Sequence, residues 1–249
     1  MSQSRKLVSA VTCAVIACIA TGAFAQTGEV YSLNVVGFEK VTAQSNGLSM
    51  VSTPFSKSPA TLDDVVGGQL SAGKTAVGAD NVTLWNATNQ AYETYWLKTS
   101  DSRWHDNAGN LATNTSISPA MGFWVLNRNA TNETVVVSGD VGQQPVVTNH
   151  LISGLNLVSY PFSTVIDINS SAMTNGTTGK TAVGADNITL WDASNQAYVT
   201  YWLKTSDKKW HDNGGNLATN VTVGSGKGFW YLNRAASPFD WVEARPYTL

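Results

Sequence analysis

The chain contains one long unit twice. Residues 73–130 recur at residues 179–236, a spacing of 106 residues. The longest shared run reads GKTAVGADNVTLWNATNQAYETYWLKTSD in the first copy and GKTAVGADNITLWDASNQAYVTYWLKTSD in the second. This spacing is too long for one turn of a solenoid and matches the size of a small domain. The sequence therefore predicts two similar folded units, and any site built from repeated residues should occur twice.

The first 25 residues have the pattern of a secretory signal peptide. Arg5 and Lys6 precede a short apolar run, which ends in the small-residue motif Ala23-Phe24-Ala25. We expect cleavage after Ala25 and a mature protein that is secreted, extracellular or held at the cell surface, with the periplasm as an alternative. The run Val15-Ile16-Ala17-Cys18 also resembles a bacterial lipobox, which leaves lipidation of Cys18 open.

Composition limits the partners of the mature chain. Both cysteines, Cys13 and Cys18, lie in the predicted signal, so the mature chain can form no disulfide. Removal of Arg5 and Lys6 takes the formal net charge from −2 to −4, and no basic stripe remains. Nucleic acid is an unsuitable partner for such a surface, because phosphate binding relies on clustered Lys and Arg. The mature chain also lacks an apolar run long enough for a transmembrane segment.

Alternating apolar residues and frequent turn residues indicate an all-β fold. The strand signals include residues 30–41, residues 82–98 as a hairpin, and two proline-stopped strands at 47–55 and 154–162. Helical signals are weak and occur only at residues 60–66 and 165–173. We predict two tandem homologous β-sandwich or small β-barrel domains, at residues 26–140 and 141–249.

A strand-like segment lies between the two predicted domains. Residues 134–146 resemble residues 30–41, and residues 239–246 offer a third segment of the same kind. An edge strand presents unpaired N–H and C=O groups that a neighbouring chain can complete. We expect residues 134–146 to couple the two units and the terminal strands to remain as edges for self-association.

Short motifs in both copies resemble a widespread secreted module of bacteria. Residues 154–161 (GLNLVSYP) and 224–230 (GSGKGFW) are similar to its pattern G-W-N-L-I-S-x-P … W … P-G-x-G-Y-W. Residues 28–37 resemble the start of two-copy exported proteins of that kind, whereas the first copy departs from the pattern at Ser49-Met50 and at residues 118–121. The resemblance, to an uncharacterised exported or surface protein family, implies a secreted, non-enzymatic β-protein and supplies no catalytic residues.

Residues 68–75 match the phosphate-binding pattern G-x-x-x-x-G-K-[ST] by chance. A phosphate loop needs a buried strand before it and a helix N-terminus after it, whereas residues 76–81 read as a loop leading into a strand. The second copy has Thr174 in place of the first glycine. We therefore predict neither a nucleotide partner nor a cofactor.

No constellation of catalytic or metal-binding residues accompanies the repeated histidines. His105-Asp106 and His211-Asp212 lack a nucleophile motif and the paired-histidine spacing of a zinc site. We predict no enzyme activity and no metal site, although Asp80, Asp101 and Asp106 leave a structural calcium ion as an alternative.

Aromatic residues recur in both copies and are the main candidates for ligand contact. Flat rings that face solvent stack on sugar faces. We expect Trp104 and Trp210 to be the most exposed rings, because each lies next to a polar turn. The candidate ligand-binding residues are Trp85, Trp104, His105, Trp191, Trp210 and His211. The sequence favours an exported, non-catalytic extracellular or cell-surface protein with a structural or adhesive role. The alternative is a bivalent carbohydrate-binding protein with repeated Trp platforms, whose partner would be an extracellular polysaccharide.

Overall fold

A computed structural model describes residues 35–248. The predicted signal peptide, Cys18 and the start of the first predicted strand lie outside the described residues. The predicted all-β character is confirmed. Both repeats belong to one compact unit, Asn34–Leu249.

The first repeat, taken from here on together with its flanking strands as residues 36–141, contributes eight strands and a short helix. The strands are β1 (Val36–Ala43), β2 (Gly47–Ser52), β3 (Phe55–Ser56), β4 (Asn81–Asn86), β5 (Ala91–Lys98), β6 (Arg103–Asp106), β7 (Gly122–Asn127) and β8 (Glu133–Val141). Helix α1 (Leu62–Val65) begins after Thr61, which forms a capping box with Asp64. A single 3-10 turn, Ala76–Gly78, precedes β4.

The second repeat, taken with its flanking strands as residues 146–244, contributes nine strands and two 3-10 turns. The strands are β9 (Val146–Leu151), β10 (Gly154–Ser159), β11 (Ile166–Asp167), β12 (Asn187–Asp192), β13 (Ala197–Lys204), β14 (Lys209–Asp212), β15 (Thr222–Val223), β16 (Gly228–Asn233) and β17 (Phe239–Ala244). The 3-10 turns are Ala172–Asn175 and Ala182–Gly184.

Two five-stranded antiparallel sheets share one topology. The strand order is β2-β7-β4-β5-β6 in the first repeat and β10-β16-β12-β13-β14 in the second. The remaining sheets of the described region are β1-β8-β3, β9-β17 and β11-β15, and none of the sheets described closes into a barrel.

Strand alternation places one face of each five-stranded sheet against its own core. In β5, Tyr95 and Leu97 contact the first core, whereas Tyr92, Thr94 and Trp96 lie on the opposite face. The first core is closed by Leu62 and Val65 of α1 and by β8. An equivalent core in the second repeat contains Trp210, Phe229 and Trp241. Each repeat thus buries an apolar centre without a disulfide.

The segment predicted to couple the repeats forms two separate strands instead. Strand β8 pairs with β1, and strand β9 pairs with β17. Each repeat is therefore closed by its own first and last strands, and the chain holds four such strands rather than three. The prediction that residues 134–146 bridge the two units is wrong, because Gly142–Pro145 interrupts the strand.

The weak helical signals correspond to short elements. Residues 60–66 contain α1, whereas residues 165–173 contain β11 and the start of a 3-10 turn. The P-loop-like residues 68–75 follow α1 and lead into a 3-10 turn, so this segment lacks the strand and the helix that such a loop requires. In the part of the chain that the structure describes, no helix has the length and apolar character needed to cross a membrane.

Candidate functional site

The two repeats meet in a third apolar cluster, which we call the junction. Its buried members come in equivalent pairs from the two repeats, and half-buried neighbours surround them. The junction consists of Met50, Trp124, Leu157 and Trp230, with Leu48, Trp85, Leu155 and Trp191 around them. The outer faces of the two five-stranded sheets pack together here, and backbone hydrogen bonds from Ser52 to Gly226 and from Ser159 to Ala120 also join the repeats.

Two glycines allow the backbones to approach each other closely at the junction. A Cβ atom on Gly122 would lie 2.9 Å from the carbonyl oxygen of Val158 and 3.2 Å from the Cα of Gly228. A Cβ atom on Gly228 would lie 3.0 Å from the Cα of Gly122. These positions begin β7 and β16, so the absence of a side chain there sets the spacing of the repeats.

Each repeat caps a sheet edge of the other. The Leu48 N–H donates to Gln196 Oε1 (2.8 Å), and Gln196 Nε2 donates to the Leu48 carbonyl (2.9 Å). The indole N–H of Trp191 donates to the same carbonyl (2.8 Å). The N–H and carbonyl of Leu48, on the edge strand β2, are thus hydrogen-bonded to side chains of the other repeat in place of a neighbouring strand.

Strand β10, the equivalent edge strand of the second five-stranded sheet, is capped in the same way by the first repeat. Gln90 exchanges two hydrogen bonds with the backbone of Leu155, at 2.9 and 3.0 Å, and Trp85 Nε1 donates to the Leu155 carbonyl at 2.8 Å. The two predicted candidates Trp85 and Trp191 are therefore half-buried interface residues.

Six rings form two equivalent triads across the junction. Trp85 lies edge-on to Tyr92 (4.9 Å between ring centroids) and to Trp230 (5.1 Å). In the second triad, Trp191 lies edge-on to Tyr198 (4.7 Å) and to Trp124 (5.1 Å). Each triad takes two rings from one repeat and the third from the other, an arrangement that stabilises beyond simple burial.

An open cavity of about 340 Å³ lies beside these triads. Tyr92 and Tyr198, each about half exposed (55% and 53%), both line it. The hydroxyls of Thr83 and Thr94, 2.9 Å apart, lie along one wall. Partial burial, and then the nearby Tyr198, raise the pKa of Tyr92. We call this space the tyrosine cavity.

Two further grooves lie where the Trp hairpin of one repeat meets the first strands of the other. Groove A, of about 540 Å³, is lined by Trp191 together with Glu39 and Lys227. Groove B, of about 300 Å³, is lined by Trp85 together with Met121 and Thr148. The grooves occupy equivalent places in the two repeats.

The other four predicted candidates are buried. Trp104 and Trp210 are 2% and 0% exposed, and His105 and His211 are 4% and 5% exposed. The expectation that Trp104 and Trp210 are the most exposed rings is wrong. Strand alternation points both indoles into the cores, although polar turns follow them in sequence.

The two histidines hold the turns that connect the strands. His105 Nε2 lies 3.0 Å from Asp101 Oδ2, and Nδ1 lies 2.9 Å from the carbonyl oxygen of Gly109. His211 contacts Asp207 and Gly215 in the same way, at 2.9 Å each. The hydrogen bond from His105 lowers the pKa of Asp101. Since both ring nitrogens face oxygen acceptors, neither ring offers a free nitrogen to a ligand.

The aspartates considered for calcium have separate structural partners. Asp80 is buried and accepts hydrogen bonds from the backbone N–H groups of Ser71 (2.8 Å) and Arg128 (2.7 Å). Asp106 caps its turn through Asn110, whose side-chain hydrogen bond lowers the pKa of Asp106. Within residues 35–248, no group of three or more His, Cys, Asp or Glu residues converges as a metal site would require.

Residue patterns missed part of the site. Gln90 and Gln196 cap the opposite repeat, and Tyr92 and Tyr198 face the tyrosine cavity, yet neither pair was predicted to do so. The duplication itself carries a signal for the glutamines, because Asn-Gln-Ala-Tyr is unchanged in both turns.

No family model matches the chain, and no curated protein or solved structure matches it either.

Proposed function

We propose that the protein is an exported, non-catalytic protein of the extracellular space or cell surface, with a structural or adhesive role. The proposal is carried by the observation that the repeated side chains able to act in catalysis or ligand stacking have structural roles instead. His105 and His211 hold turns, and Trp104 and Trp210 fill cores. The tyrosine cavity between the repeats presents aromatic rings and hydroxyl groups, which suit binding rather than bond breaking.

The two repeats are proposed to be homologous domains joined by the junction. Each has its own core and the same five-strand topology, which supports an origin by duplication. Export is supported by the signal-like sequence before residue 26.

Self-association through strand β1 would serve a structural role. This strand lies at the edge of its three-stranded sheet, and its side chains Val36 and Phe38 are largely exposed. An exposed edge with apolar side chains is a template for pairing with a second copy.

Localisation and association together test this proposal. The full chain, expressed in a bacterial host, is expected outside the cytoplasm and to associate with rising concentration in sedimentation velocity. Phe38→Lys should weaken the association, whereas Lys74→Ala, a change in an exposed loop, should not. A protein that stays in the cytoplasm and remains monomeric at all concentrations contradicts the proposal.

Carbohydrate binding is the second candidate function, and the tyrosine cavity favours it. Half-exposed tyrosine rings beside paired threonine hydroxyls offer both stacking and hydrogen bonding to a sugar. Linked weak sites in one molecule would gain avidity toward a repeating polysaccharide.

A polysaccharide screen monitored by tryptophan fluorescence tests the second function. Binding should change the emission of the triads and should weaken when Tyr92 and Tyr198 are both replaced by Ala. Tyr95→Phe, which alters a core tyrosine, is the matched control. Retained affinity in the double variant would place any sugar site elsewhere.

A further inference from the structure

The two grooves occupy equivalent positions but have different chemistry. Asn127 Nδ2 donates to the Ala43 carbonyl, and the equivalent Asn233 donates to the Leu151 carbonyl, each at 3.0 Å. Ala43 and Leu151 are therefore equivalent. Counting back four residues along β1 and β9 pairs Glu39 with Val147.

Charged residues that line groove A have neutral counterparts at the equivalent positions of the other repeat, and of these Met121 lines groove B. Lys227 precedes Gly228 just as Met121 precedes Gly122, so these two residues are equivalent. Asp192 ends β12 in the position where Asn86 ends β4. Duplication made two grooves, and only groove A has a carboxylate and an ammonium group at these positions.

Glu39 and Lys227 are available to a ligand. Both line groove A and a side pocket of about 410 Å³ that continues from it. Among the described residues, neither side chain forms a hydrogen bond or an ion pair. The Ser225 hydroxyl, which also lines both spaces, is buried without a hydrogen-bond partner in this part of the chain. A buried hydroxyl without a partner is costly, and a bound polar group would satisfy it.

Asp192 helps to define which ligand charge groove A accepts. Its carboxylate accepts hydrogen bonds from Ser194 and Asn195. The hydrogen bonds from Asn195, and to a lesser degree the charge of Lys227, lower the pKa of Asp192. Two carboxylates beside one lysine oppose a strongly anionic ligand.

We propose that groove A is the binding site of a neutral oligosaccharide, which deepens the second candidate function. Hydroxyl groups of such a ligand donate to Glu39, accept from Lys227 and reach Ser225, while Trp191 forms an aromatic wall for a sugar face. A volume of about 540 Å³ is within the range of small-molecule sites. Of the two equivalent grooves, groove A is therefore the proposed sugar site.

Groove B supplies the natural control. It retains one unpartnered donor, Asn149 Nδ2, and its His150 is held by Asp240 at 2.6 Å. Replacing groove A residues by their counterparts in the other repeat changes the chemistry with side chains that the fold already accepts at equivalent positions.

Isothermal titration of the full chain with cellotetraose, maltotetraose, chitotetraose and tetragalacturonate tests the proposal. At least one neutral tetrasaccharide should bind, and Glu39→Val and Lys227→Met should each weaken binding about tenfold or more. Met121→Lys in groove B should leave the affinity unchanged. Thermal unfolding of each variant confirms that it is folded, and the smaller substitution Ser225→Ala provides a second test of the same groove.

Each alternative outcome has a distinct meaning. Sugar binding that resists the groove A variants but is lost on replacing Tyr92 and Tyr198 by Ala overturns groove A and keeps the carbohydrate function. Binding of tetragalacturonate alone, or of a random hexapeptide mixture in place of the neutral sugars, overturns the ligand class. No binding at millimolar sugar overturns both the groove and the carbohydrate function, whereas the structural role is judged separately by localisation and association.

Discussion

At the scale of single residues, the structure depends on places where a side chain is excluded. Gly122→Ala should destabilise the protein by about 1–3 kcal/mol, because the added methyl meets backbone atoms of the other repeat, nearest the Val158 carbonyl oxygen at 2.9 Å, as well as Leu157 Cγ at 3.1 Å. Gly142→Ala is the control, since an added Cβ there meets nothing within 4 Å. Chemical denaturation measures both variants. Equal stability of the two would show that the repeats do not approach closely at Gly122.

One half-buried carboxylate, that of Glu133, gives folding stability a pH dependence. Burial, and then the hydrogen bond and charge of Asp80, raise the pKa of Glu133. A raised pKa in the folded state stabilises the fold below the pKa of the unfolded chain, and this contribution is lost as pH rises through the folded value. Glu133→Gln should therefore gain stability relative to the wild type as pH increases from acid toward neutral. Asp140→Asn, an exposed control, should show no such trend in urea unfolding across that pH range.

At the scale of elements, the glutamine caps protect the outer edges of the sheets. Gln90→Ala removes two hydrogen bonds to Leu155 and should cost about 0.5–1.5 kcal/mol for each bond lost. It should also promote aggregation, because the Leu155 N–H at the edge of β10 is left unpaired, whereas the Leu155 carbonyl still accepts from Trp85. Thr88→Ala, an exposed change in the same turn, is the control. If Gln90→Ala and Thr88→Ala show the same light scattering and the same thermal unfolding, the capping role is contradicted.

Much of the element pattern is predictable from sequence, because strand alternation and turn residues act locally. The hairpin at residues 82–98 and the proline-stopped strands appear as predicted. The pairing of residues 133–151 is not predictable in this way, since similar strand-like segments compete for the same partners. The burial of Trp104 was missed because proximity to a polar turn does not determine which face of a strand a side chain occupies. The grooves depend on contacts between residues far apart in the chain, 148 positions for Gln196 with Leu48 and 65 positions for Gln90 with Leu155, which no local pattern encodes.

At the scale of the whole molecule, the junction decides whether the two repeats unfold as one body. Each repeat has its own core, so coupling between them comes from the junction, the edge caps and two backbone hydrogen bonds, from the Ser52 N–H to the Gly226 carbonyl (3.0 Å) and from the Ser159 N–H to the Ala120 carbonyl (2.9 Å). Met50→Ala combined with Leu157→Ala opens a cavity there, and each change should cost about 2–5 kcal/mol. The wild type should unfold in one calorimetric transition and the double variant in two, with hydrogen exchange assigning one transition to each five-stranded sheet. Val82→Ala, a change in the first core alone, should lower the temperature of the unfolding transition, but the two repeats should still unfold together. A double variant that still unfolds in one step would mean that the edge caps and the backbone hydrogen bonds between the repeats suffice for coupling, and the repeats would then behave as one cooperative domain rather than two.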